Sequence, residues 1–175
     1  YITGLGLYEA YINGKKAGDE YFTPFYDDYR YVLQYQTYEV GALLREGENE
    51  ITVLLGNGWY GGRYPAGKNG DGTFGDGFKL SAELVIPAEE GDGQEKGEAC
   101  GENGDIVVAT DDEWREVESP VIFSEIYDGE VYDAEKSLFG EDGKLTEKAK
   151  NTAKPIKIAS APVAKIIPRI SPRIC

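Results

Sequence analysis

Apolar residues in this chain come in short runs broken by glycine, proline and asparagine, and no segment holds a helical period beyond two turns. That pattern favours an all-β sandwich over any fold that needs long helices. The clearest run is Leu7 to Ile12, where Leu7, Glu9 and Tyr11 face one way and Tyr8, Ala10 and Ile12 the other. It spells a strand with two useful faces. Asn13-Gly14 follows at once, the pair best suited to a tight hairpin whose central residues need positive φ. Further strands are expected at Tyr35–Val40, Leu80–Ile86, Ile106–Thr110, Val121–Phe123 and Glu130–Tyr132. The unbroken apolar run Ile51–Leu55 predicts a central strand covered on both faces. Single helical turns are expected at Ala42–Leu44 and around Thr146–Lys150. The tail alternates Val163, Lys165 and Ile167 among Pro162, Pro168 and Pro172, which suits an edge strand leading toward a further domain.

The chain has 175 residues, enough to build one core. We read 1–175 as a single domain with a flexible acidic insertion at 87–105 and a variable, solvated connector at 136–154. From Gly56 to Gly77, both included, the chain holds 9 glycines, and a loop that long in a compact domain is functional or mobile. The net charge of −14 repels phosphate and excludes nucleic acid and anionic membranes as expected partners. There is no apolar run of transmembrane length and no charged-then-apolar leader. The lack of Met and the start at Tyr1 inside an apolar segment lead us to expect a piece of a longer polypeptide.

Composition also limits the chemistry. With no His, Ser–His and Cys–His nucleophile pairs and His-ligated metals are removed. Cys100 and Cys175 are too few for a zinc site or a disulfide framework. Gly56–Gly61 satisfies a G-x-G-x-x-G pattern after a strand, but Gly62-Arg63-Tyr64-Pro65 cannot open the helix a dinucleotide site requires. Asn69–Thr73 fails as a calcium-binding helix–loop–helix, because the glycine and bidentate-acid positions hold Phe74 and Leu80. A calcium site built from separate loops stays open, with Asp27, Asp28, Asp71 and Asp76 as candidate donors. The alternative for these four is a solvated acidic loop. Acid pairs at Asp111-Asp112 and at Glu130 with Asp133 are expected by chance among 32 acidic residues, so no catalytic residue is assigned.

Aromatics carry more information. A sugar ring has apolar C–H faces and hydroxyl edges, so its binder offers a flat aromatic beside amide, carboxylate or guanidinium groups. Asn57, Trp59, Tyr60, Arg63 and Asp28 fit that recipe and are the candidate carbohydrate-binding residues, beside the run Phe25–Arg30. Core packing competes with this reading for Trp59 and Tyr60 and is favoured for Tyr8, Tyr11, Tyr35 and Tyr38.

Several segments, in order, carry a family likeness. They are Tyr8–Lys15, Asp28-Tyr29-Arg30 leading to Tyr35–Val40, Glu46–Asn49, Leu55–Arg63 and Ile126–Ala134. Together they resemble the N-terminal domain of bacterial α-L-rhamnosidases of glycoside hydrolase family 78, over roughly residues 1–135. The resemblance implies a β-sandwich of galactose-binding-like, jelly-roll type. It places the catalytic acids in a separate α/α-barrel domain of the same polypeptide, so this piece is expected to be inactive alone. It further implies an accessory role, either binding of L-rhamnose, with or without calcium, or structural bracing. Asp27 and Asp28 fall where the resemblance places such calcium ligands, with Asp71 and Asp76 supplying the rest. In the family's Gly-aromatic-Thr-Asp-Tyr turn, Asp28 and Tyr29 are the matching positions. Rhamnose-containing glycans and the polypeptide's other domains are then the expected partners.

Overall fold

The structure, a computed structural model, describes residues 1–62, 74–75, 77–87 and 105–174. Arg63, Asp71, Asp76 and both cysteines lie outside the described residues, as does most of the acidic insertion. The strands are β1 (Ile2–Leu5), β2 (Leu7–Ile12), β3 (Lys15–Lys16), β4 (Val32–Tyr35), β5 (Ile51–Gly56) and β6 (Lys79–Ile86). They continue with β7 (Ile106–Ala109), β8 (Arg115–Glu116), β9 (Val121–Glu125), β10 (Gly129–Tyr132), β11 (Lys154–Pro155) and β12 (Lys165–Pro168). Helix is confined, among the described residues, to one 3₁₀ turn at Gly41–Leu43 and the four-residue α1 (Glu147–Lys150), capped by the Thr146 hydroxyl.

Two layers face each other. One runs β1-β6-β7, all antiparallel. It is extended past β1 by an Ile2–Gln36 bridge and a Thr3 Oγ1 to Gln34 O bond of 2.6 Å, which bring in β4 with β12 parallel beside it. The other runs β3-β2-β5. Ile2, Leu80 and Ala82 from the first layer meet Tyr8, Ala10, Val53 and Leu55 from the second in one cluster with Ala17, Tyr38 and Leu43. The fold is therefore an all-β sandwich, held by apolar burial between its sheets.

The period-two pattern of β2 is realised as read, with Tyr8, Ala10 and Ile12 buried and their neighbours half-exposed. Asn13 and Gly14 take φ of 52° and 75°, the two positive values that a tight hairpin between β2 and β3 needs. The chain passes from one layer to the other at Gly6, whose φ is +113°. A Cβ there would lie 2.5 Å from the Gly56 carbonyl oxygen, so the crossing requires glycine.

Three expectations shift. The strand read at Tyr35–Val40 sits at Val32–Tyr35 instead. Thr37–Val40 lie outside the strands, although Tyr38 and Val40 still pack on the core. Alternation therefore marked the inward faces but not the ladder. β5 is an edge of its sheet among the described residues and half-buried throughout, not central. Only Val53 and Leu55 of that run face the core cluster. The connector at 136–154 is not solvated throughout. Leu138 and Ala149 are buried, Phe139 meets Tyr11 at 5.2 Å, and the Glu50 carboxylate accepts from Leu145 N at 2.8 Å. This segment covers the outer face of the second sheet.

Candidate functional site

Two loops meet at one end of the sandwich. The first leaves β5 through Asn57, whose side-chain amide donates to Ser124 O at 3.0 Å while its backbone carbonyl accepts from Gly61 N at 3.1 Å. Both bonds fix the turn that presents Trp59. The second loop runs from Asp19 to Tyr31 and is tied to β2 by Tyr8 N to Thr23 O at 2.9 Å and Thr23 Oγ1 to Tyr8 O at 2.8 Å.

Trp59 meets three rings of that second loop: Phe25 at 5.6 Å, Tyr26 at 6.1 Å and Phe22 at 6.2 Å between centroids. Phe22 is 49% and Tyr26 42% exposed, so the cluster opens onto solvent. Phe22 and Phe25 both adopt positive φ, 58° and 85°. Such backbone is costly for bulky residues and concentrates at ligand sites. Beyond Tyr26 lies Phe74 at 6.4 Å, and over its ring at 5.9 Å sits the Arg30 guanidinium. Arg30 forks onto Asp28, with Nε to Oδ1 at 2.7 Å and Nη2 to Oδ2 at 2.6 Å. The result is a row of aromatic surfaces ending in a solvent-facing ion pair.

The predicted residues separate in space. Trp59 is half-buried, packed against the core cluster of Leu5, Tyr29, Leu33, Tyr60 and Ala164 as well as meeting the open rings. Tyr60 is buried at 8% exposure among Leu5, Leu33 and Ala164, edge-on to Tyr29 at 5.3 Å, with Lys79 Nζ 3.3 Å from its hydroxyl. It offers no open face to a ligand. Asn57 acts as an anchor of the loop. Arg63 lies outside the described residues.

The acids separate likewise. Asp27 is buried, and its two oxygens accept from Gln34, from the backbone N–H at 2.9 Å and from Nε2 at 2.7 Å. Burial pushes its carboxyl above the ordinary value, opposed by those two donors. The bonded Arg30 guanidinium holds Asp28 below its ordinary value. Each carboxylate thus has its own donor, and among the described residues no group of three or more acidic or thiol side chains stands close enough to hold a metal. A calcium ion takes six to eight oxygens, so the expected set also needs Asp71 and Asp76. Asp71 and Asp76 lie outside the described residues.

Sequence reasoning passed over Phe22, Phe74 and Gln34. Phe22 precedes Thr23-Pro24, a turn signal that could have marked its loop position. Nothing local to Gln34 announces the carboxylate it meets.

The α-L-rhamnosidase N-terminal domain profile matches residues 1–174. An α-L-rhamnosidase of Streptomyces avermitilis is 32% identical over 140 residues, covering 80% of this chain and 12% of that protein. The crystal structure of the Streptomyces avermitilis α-L-rhamnosidase complexed with L-rhamnose superposes with a TM-score of 0.79 at 26% identity, covering 98% of this chain and 15% of the solved one. The native Aspergillus terreus α-L-rhamnosidase gives 0.75 at 32% identity, covering 93% of this chain and 18% of that one. The chain thus spans 12% to 18% of the length of these relatives. The profile match over nearly the whole chain, on the same sandwich, places this protein in the α-L-rhamnosidase N-terminal domain family.

Proposed function

We propose that the chain is a non-catalytic accessory domain of an α-L-rhamnosidase and that it binds terminal L-rhamnose at the Trp59 cluster. The observation that carries this reading is the open aromatic row with the Asp28–Arg30 pair at its end. A deoxy sugar presents an apolar face and methyl group to Trp59 and Tyr26. Its hydroxyls exchange hydrogen bonds with the exposed carboxylate and guanidinium. The positive φ of Phe22 and Phe25 supports a loop shaped for a ligand. Hydrolysis of α-L-rhamnosides belongs, on this reading, to another domain of the polypeptide. Calorimetric titration with L-rhamnose tests the binding part. A saturable heat lost in Trp59→Ala supports it, and no heat at tens of millimolar sugar rejects it.

A second reading, a purely structural brace, draws on the burial of Tyr60 and on apolar surface exposed at the β9–β10 ribbon. In that case deletion of the domain lowers the stability of the whole enzyme without changing its affinity for soluble substrate.

A further inference from the structure

The β9–β10 ribbon stands outside both layers of the sandwich. Its two strands pair with each other, Val131 opposite Phe123 and Glu130 opposite Ser124, and with no third strand among the described residues. Ile122 is 60%, Phe123 42%, Val131 54% and Tyr132 58% exposed. Cross-strand partners project to the same side and successive residues to opposite sides. Phe123 and Val131 therefore share one face, and beside them the register shifts so that Tyr132 pairs with Val121 and Ile122 is the extra residue of a bulge. A two-stranded ribbon is marginal alone in water, and four large apolar or aromatic side chains exposed together on it mark a contact surface. The ribbon is anchored to the sandwich by Asn57 Nδ2 to Ser124 O at 3.0 Å, and its base is closed by Asp133 N to Pro120 O at 2.8 Å.

We infer that this ribbon docks against an adjoining domain of the same polypeptide, on a face that is apolar at its centre and bears Lys or Arg at its edge. Charge selects the occupant. Glu130 and Asp133 flank the apolar pair Val131 and Tyr132, and the whole chain carries −14. A second copy would bring the same acidic flank and the same net charge to the contact, which disfavours self-association. A basic-edged apolar face reverses that sign. The relatives extend far beyond the region this chain matches, which supplies polypeptide for such a face. The inference rests on the reading that the chain is one domain of a longer enzyme, but not on sugar binding.

Covalent footprinting of the full-length enzyme tests it without altering the fold. Tyr132 is expected to label at least fivefold less than Tyr31, a side chain of the same reactivity that is 67% exposed on the sandwich itself. Labelling within twofold of Tyr31 overturns the proposal. Protection that disappears on hundredfold dilution also overturns it, because the cover is then a second copy. As an independent check, Val131→Asp and Glu130→Lys in the full-length enzyme should lower its melting midpoint by several degrees. They should leave calorimetric L-rhamnose binding unchanged. Unaltered melting in both variants contradicts docking. Absence of rhamnose binding in the unaltered enzyme defeats the sugar-binding reading and leaves the footprint result standing.

Discussion

Gln34 holds both oxygens of Asp27, through its backbone N–H at 2.9 Å and its side-chain Nε2 at 2.7 Å. The same side chain accepts, at Oε1, from Ile170 N at 2.7 Å and Ser171 N at 2.9 Å. One buried amide therefore joins the loop bearing the aromatic row to the segment after β12. Glu20 reinforces the junction from the other side. It is buried, accepts from Tyr38 at 3.0 Å and is ion-paired to Arg169 and Arg173.

Gln34→Ala removes one donor from a buried carboxylate and the acceptor of two backbone N–H groups. Orphaned buried polar groups cost roughly 1–3 kcal/mol each, reduced where water reaches them. The expected loss is about 2–4 kcal/mol in urea unfolding. A change below about 0.5 kcal/mol would show that the junction contributes little.

The two neighbouring aspartates should titrate in opposite directions. Asp27 is raised by burial, so the folded chain holds its proton to higher pH than the unfolded chain, whose carboxyl titrates near about 3.9. Its contribution to stability is complete below that value and is lost as pH rises through the raised folded value. Asp28 is lowered by Arg30, so its contribution is present above the unfolded value and is lost as pH falls through the depressed one. Carboxyl carbon NMR should give a midpoint above the ordinary value for Asp27 and below it for Asp28. Asp27→Asn should flatten the decline in stability just above about pH 4.

Gly6 and Gly41 make a matched pair. Gly6 has φ of +113° and no room for a Cβ, whereas a Cβ on Gly41 meets nothing within 4 Å. Gly6→Ala combines backbone strain with a clash against the Gly56 carbonyl and is expected to cost more than about 2 kcal/mol. Gly41→Ala should stay within about 0.5 kcal/mol of the parent. Thermal melting of both variants checks the contrast.

Trp59 and Tyr60 are neighbours with different work. Tyr60→Ala empties a buried, ring-packed position and should cost about 3 kcal/mol of stability. Trp59→Ala should cost less stability and remove sugar binding. Urea unfolding and calorimetry on the two variants separate the roles.

Much of the fold was legible because its signals are local. The alternation of Leu7–Ile12 and the Asn13-Gly14 turn specify a strand and a hairpin without help from the rest of the chain. The same local rule misplaced β4, because a ladder depends on partners brought from afar. Those partners are Ile2 on one side and β12, more than 130 residues later, on the other. At the site, an aromatic-rich loop was visible, and Trp59 lies in it. The burial of Tyr60 was not visible, because adjacent residues of a turn point in different directions and packing decides which is covered. Sequence alone leaves Asp27 an open donor because Gln34, its partner, is unremarkable there.

The most direct test of sugar binding uses the two indoles, Trp59 in the open cluster and Trp114 with its Nε1 bonded to Ala109 O at 3.3 Å. Titrating L-rhamnose while following both indole N–H resonances should move Trp59 in a saturable way and leave Trp114 in place. If neither indole moves at saturating sugar, or both move equally, the aromatic row is not a rhamnose site.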